Sequence, residues 1–233
     1  MHSDHVFLAD RSLKEGIVHM DKTELLNLLE QMKLDTNAKN SEKYLSWKAY
    51  RKAEMLNDSA LFPVLCDLIQ ENEDNKQKEL RSNIYFVMGS LLRKKMTAEY
   101  CQYLIDRLGI ERDKYVLSSI LDQIASLRIS GEVNMDLVIR CSRDDKWLVR
   151  HSAINALRAS DSEPCRAAAR FWVKQADEKL YKNEIIYANA SLNEIGVMED
   201  IELLELHTHS RIRDIKDSAL NAIEAIKRRG FTN

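Results

Sequence analysis

The sequence predicts an all-α protein, an α-solenoid of stacked antiparallel helix pairs, and three observations carry that prediction. First, a helical unit recurs about every 34 residues. Its clearest copy runs from Trp147 to Leu157, and Ile215 to Ile223 repeats the pattern of Val149 to Leu157 sixty-six residues on. Second, Arg81, Arg150 and Lys216 are each followed by apolar residues at +3, +6 and +7, which places all of them on one helical face. Third, only 6 Gly and 2 Pro occur in 233 residues, too few to punctuate a sheet-rich chain.

The elements follow in order. Residues 1–20 show no clean period. Thr23 is placed to cap a helix whose stripe is Leu25, Leu26, Leu28, Leu29 and Met32. The polar stretch Asp35 to Asn40 separates it from a longer helix, capped by Ser41, that buries Leu45, Ala49, Ala53 and Leu56. The dense apolar run from Leu61 to Ile69 predicts a third helix, with Pro63 in its first turn, where a missing N–H costs little. Glu71 to Gln77 is a loop. The first helix of each later unit is anchored at Arg81, Leu117, Arg150, Ala188 and Lys216, at intervals of 36, 33, 38 and 28 residues. Second helices are predicted over 97–108, 131–142, 162–177 and 197–207. Thr97, Asp161 and Ser162 stand at N-cap positions, and Pro164 in a first turn. Gly109, Gly196 and Gly230 stand where helices ending in a left-handed residue need glycine. The expected organisation is an N-terminal segment with one capping helix, residues 1–40, followed by a continuous array, residues 41–233.

These residues resemble HEAT repeats, specifically the short bacterial type of phycobilisome-lyase-like repeat proteins. Asp145 with Val149-Arg150, Leu80-Arg81 with Gly89, and Phe62-Pro63-Val64-Leu65 carry the resemblance, which spans about residues 41–229. Leu117 and Ala188 depart from it where the base belongs, and Ser191 where an alanine belongs; the two units are expected to lack a ladder contact to their neighbours. The resemblance implies second helices lining a concave face and a role in binding. Such repeats serve in bacteria as immunity or regulatory proteins that hold a toxin or enzyme inactive. HEAT-like alkylpurine DNA glycosylases use concave aromatic and acidic residues on a damaged base.

Composition narrows the function classes. A net charge of −2 removes the global basicity that supports non-specific nucleic-acid binding. Cys66, Cys101, Cys141 and Cys165 form no paired motif and fall on or near apolar stripes, as buried reduced thiols do. No apolar stretch reaches the ~18–20 residues of a membrane span, and a reducing, cytoplasmic setting is expected. No Gly-rich phosphate loop, nucleophilic triad or cofactor motif is present, so no cofactor is expected.

The candidate binding residues are basic. Arg166, Arg170 and Lys174 recur every four residues on one second helix, and Arg140 and Arg143 lie on the preceding one. With Trp147 at its flank this set reads either as an anion-binding patch or as a solvated face with local ion pairs. Trp172 has Ala168, Ala169 and Ala176 at helical spacing and reads as core. His207 and His209, with Glu202 and Glu205, form the local cluster of metal-capable side chains, and the expectation there is an exposed turn; His151 is expected at the surface. The leading function is a non-enzymatic protein-binding scaffold whose partner presents acidic residues. The alternative is a nucleic-acid-binding or base-excision protein.

Overall fold

The computed structural model describes residues 20–34 and 44–230. Among them the chain forms twelve α-helices and no strand. The helices are α1 (Lys22–Met32), α2 (Leu45–Met55), α3 (Leu61–Glu71), α4 (Lys78–Lys94), α5 (Ala98–Asp106) and α6 (Lys114–Ala125). They continue as α7 (Asp136–Cys141), α8 (Trp147–Ala156), α9 (Glu163–Val173), α10 (Lys182–Ile195), α11 (Ile201–Glu205) and α12 (Arg213–Gly230).

Contacts sort the helices into two rows. In the first row α2 packs on α4, α4 on α6, α6 on α8, α8 on α10 and α10 on α12. In the second, α5 packs on α7, α7 on α9 and α9 on α11, while Phe62 of α3 stacks on Tyr100 of α5 at 4.1 Å. The helix α1 covers α2 and α4. One continuous core runs from Met20 to Ile226. The anchor offsets supply much of it: Ile84, Val87, Met88, Ile120, Ile124, Ala153, Ala156, Leu157, Ala222 and Ile223 are all buried within it. Alanines at these seams let neighbouring helices approach closely.

The first-row helices run parallel, because equivalent ends meet. At the N-terminal ends the buried Arg81 forks onto Glu111, with Nε donating to Oε2 at 2.8 Å and Nη2 to Oε1 at 3.1 Å. Arg150 makes the corresponding pair with Glu184, its Nε and Nη2 both meeting Oε1, at 2.8 and 2.7 Å. At the C-terminal ends Arg93 donates to Ser126 at 2.9 Å, Arg158 to the Ala125 carbonyl at 3.2 Å and Arg229 to the Gly196 carbonyl at 3.0 Å. Carbonyls that no helix bond satisfies thereby receive a cation from the adjacent unit.

Several expectations are corrected. Asp21, not Thr23, caps α1, with the Glu24 amide donating to its carboxylate at 2.8 Å and Glu24 closing a capping box. Leu26 and Leu45 are exposed, since the helices turn their other stripe positions inward. The helix predicted over 131–142 is only α7, because residues 131–135 form a turn. None of the described glycines has a positive φ. Gly196 serves close approach instead: a Cβ there would lie 2.4 Å from the Leu192 carbonyl oxygen and 2.7 Å from Ile226. The units anchored at Leu117 and Ala188 do have ladder contacts. Ser118 and Ser152 share a hydrogen bond of 2.8 Å, Asn189 donates to Ser218 at 3.0 Å, and the buried Ser191 donates to the Ile154 carbonyl at 2.7 Å. Ser41 and residues 1–19, including His2 and His5, lie outside the described residues.

Candidate functional site

Each first-row helix from α4 onward opens on a base: Lys78, Lys114, Lys182 and Arg213 are first residues, and Lys146 is the N-cap of α8. A cation at a helix N-terminus opposes the macrodipole, so each needs a local compensation. Lys78 reaches Asp113 of the next unit at 3.6 Å, and Lys182 reaches Asp214 at 2.7 Å. Arg213 pairs with Asp217 on its own helix at 3.2 Å. Lys114 lies over the Tyr115 ring at 5.0 Å from its centroid. Among the described residues Lys146 has no ion pair, although its backbone N–H donates to Asp144 at 2.8 Å.

Lys146 borders a cleft of ≈ 240 Å³ where the α5–α6 loop meets the α7–α8 loop. Arg112, Arg140 and Lys146 line it above Leu117 and Leu137. All three cations are exposed, and none has an ion-pair partner among the described residues. The carboxylate of Glu111, also in the lining, is already engaged by Arg81 and by the Arg112 and Asp113 amides at 2.9 and 3.0 Å. Burial alone would raise the Glu111 carboxyl, but these donors outweigh it and hold the group below the usual carboxylate range. The Cys141 thiol at the cleft is pushed up to about 11 by burial, reinforced by Asp144, and stays protonated at neutral pH.

Exposed rings stand on the adjoining helices α6, α8 and α9. Tyr115 is 59% exposed, Trp147 60% and Phe171 40%. Arg143 stacks on Phe171 at 4.4 Å, a cation–π contact that ties the end of α7 to α9. Trp147 neighbours His151 at 5.5 Å, and His151 reaches Tyr187 at 5.4 Å and Glu184 at 3.1 Å. His151 is therefore half-buried in the α8–α10 seam rather than a free surface residue.

The structure separates the six residues singled out above. Arg140 and Arg143 stand at this cleft and its rim, with Trp147 at the start of α8; Lys174 is the exposed C-cap of α9, three residues beyond Phe171. Arg166 and Arg170 have carboxylate partners. Arg166 bonds Glu163 at 3.1 Å and lines a different cleft of ≈ 430 Å³ with Glu194 and Arg229. Arg170 is clamped between Glu163 and the buried Asp200, 30 residues away. Arg112, Lys114, Tyr115, Lys146 and Phe171 escaped the sequence reading. The signal that finds Lys114, Tyr115 and Lys146 is a base at the start of a first helix beside a ring, as in Lys114-Tyr115, Lys146-Trp147 and Tyr181-Lys182; Arg112 and Phe171 carry no such signal.

The remaining chemistry-bearing groups are structural. Trp172 is buried, and its indole N–H donates to the Ser142 carbonyl at 3.0 Å. His207 is corrected from an exposed turn to a buried clasp. It is 4% exposed, with Nδ1 3.0 Å from Glu178 and Nε2 2.7 Å from the Val173 carbonyl. Among the described residues no group of three His, Cys, Asp or Glu side chains is placed to hold a metal. Nor is any helix among the described residues long and apolar enough to cross a membrane.

No protein-family model matches this chain, and no curated protein is significantly similar to it.

Proposed function

We propose that this chain is a non-enzymatic binding scaffold, a HEAT-like α-solenoid that engages an acidic protein partner at the edge formed by the starts of α6 and α8 and the ends of α7 and α9. The observation that carries this reading is the set of exposed cations without carboxylate partners, Arg112, Arg140, Arg143 and Lys146, interleaved with Trp147 and Phe171. Arginine and tryptophan together are what interface hot spots favour. The solenoid reading is supported by side-chain bonds between units at separations of 29, 30, 33 and 34 residues, about one repeat each. Units joined this firmly lose little freedom on binding, which favours affinity from a modest surface.

Affinity capture from native lysate, followed by reconstitution with the purified partner, tests it. The expected result is a stoichiometric protein complex that an Arg143→Glu/Lys146→Glu variant weakens by about tenfold or more. Recovery of nucleic acid instead, with binding that falls steeply as salt rises, overturns the reading in favour of a phosphate-dominated interface.

A further inference from the structure

Resting on that reading, we infer that the cleft between the α5–α6 and α7–α8 loops takes an extended acidic segment of the partner, with carboxylates about three residues apart. Three features lead there. The first is charge: Arg112, Arg140 and Lys146 converge on the cleft, while Glu111 in its lining is consumed by Arg81 and two backbone amides. Asp144 is turned to the N–H of Lys146. A ligand carboxylate therefore meets cations whose compensation inside the protein is missing.

The second feature is size. A volume of ≈ 240 Å³ over Leu117 and Leu137 admits side chains of a docked segment. It falls below the ~300–1,000 Å³ of sites that enclose a whole small molecule. The third is the state of the rings. While Trp147 neighbours His151, Tyr115 already carries Lys114 and Phe171 already carries Arg143 at 4.4 Å, so two of the three ring faces that a nucleobase would stack on hold cations. Their guanidinium and ammonium N–H groups remain available to oxygen acceptors.

The spacing follows from the fold. Packed helices such as α6 and α8 lie about 8–10 Å apart, and a segment extended as polyproline II advances ~3.1 Å per residue with three residues per turn, so its side chains at i and i+3 share a face ~9 Å apart. Carboxylates at i and i+3 therefore address Arg112 on one unit and Arg140 and Lys146 on the next.

The test is fluorescence anisotropy of labelled peptides on the full chain. The probes are an extended peptide with Glu at i and i+3, its Gln counterpart, and a single-stranded oligothymidylate of equal charge. The Glu peptide is expected to bind, the Gln peptide not. Arg112→Glu/Lys146→Glu is expected to weaken the Glu peptide about tenfold or more. Arg213→Glu, a charge reversal at the 88% exposed start of α12, is expected to leave it within about twofold. Both substituted positions of the double variant are exposed, and an unchanged thermal melt confirms that it folds. Equal binding of wild type and double variant, or tighter binding of the oligothymidylate, overturns the inference. A native partner that stays bound to the double variant sinks this cleft while leaving the scaffold reading intact.

Discussion

Arg81 and Glu111, 30 residues apart in sequence, form a two-pronged ion pair with side chains only 2% and 5% exposed. The third guanidinium nitrogen donates to the carbonyls of Asn72 at 3.1 Å and Asp74 at 2.6 Å, so the charge enters the interior fully bonded. The pair bolts the start of α4 to the start of α6. Arg150 and Glu184 do the same for α8 and α10, with the arginine reaching the Asp144 carbonyl at 2.7 Å. Removing one member of such a pair strands the other without a partner.

Arg81→Ala is expected to destabilise the protein by about 3 kcal/mol or more, and Glu111→Ala by a similar amount. The double substitution should cost clearly less than the sum. Chemical denaturation of the four proteins in the cycle measures this; additive losses would show that the two residues act independently.

Stability should fall on acidification. Burial raises the carboxyls of Glu111 and Glu184, but Arg81 with the Asp113 and Arg112 amides in one case, and Arg150 with a backbone amide and His151 in the other, together offset it, and both end below their ordinary value. A carboxylate held lower in the folded than in the unfolded chain stabilises fully above the unfolded value, ~4.3. That stabilisation is lost as pH falls through the folded value. Melting temperatures recorded from pH 7 to 3 should drop, and the drop should be shallower in Glu111→Gln.

Gly89→Ala is expected to destabilise by about 1–2 kcal/mol despite the better helix propensity of alanine. The added Cβ would lie 2.7 Å from the Gln123 Cβ, in the α4–α6 seam. Gly131→Ala meets nothing within 4 Å and should be neutral within ~0.5 kcal/mol. A comparison of the two melts checks the contrast.

How far the fold was legible follows from where its information sits. The offsets after Arg81, Arg150 and Lys216 are local periodicities, and they correctly name Ile84, Val87, Ala153, Ala156 and Ala222 as buried. Caps were less legible, because Asp21 and Thr23 both suit an N-terminus and only the Glu24 contact decides. What one sequence does not display is which side chains meet across units. Arg170 reads as part of a stripe with Arg166 and Lys174, either anion-binding or locally ion-paired, yet its partner Asp200 arrives from 30 residues away. His207 looked exposed for the same reason, since Glu178 and Val173 close over it from the preceding unit.

The two halves of the predicted basic set should therefore separate experimentally. Arg170→Glu sets a second carboxylate against Asp200, whose side chain is 2% exposed, and is expected to cost about 2 kcal/mol or more of stability. Its effect on partner binding by the folded protein should stay within about twofold. Arg143→Glu should show the reverse, a melt close to wild type and weakened binding. Parallel melts and titrations decide; binding lost in Arg170→Glu at full folding would return Arg170 to the interface.

The central claim is that the helix pairs lie side by side in sequence order, and spin-label distances test it most directly. Labels at positions 78, 146 and 213 mark the starts of α4, α8 and α12. With ~8–10 Å between neighbouring first-row helices, the 78–146 distance should be about 16–20 Å and the 78–213 distance about 32–40 Å. A 78–213 distance no longer than that between 78 and 146 would mean that the helices gather into one bundle, and would contradict the account.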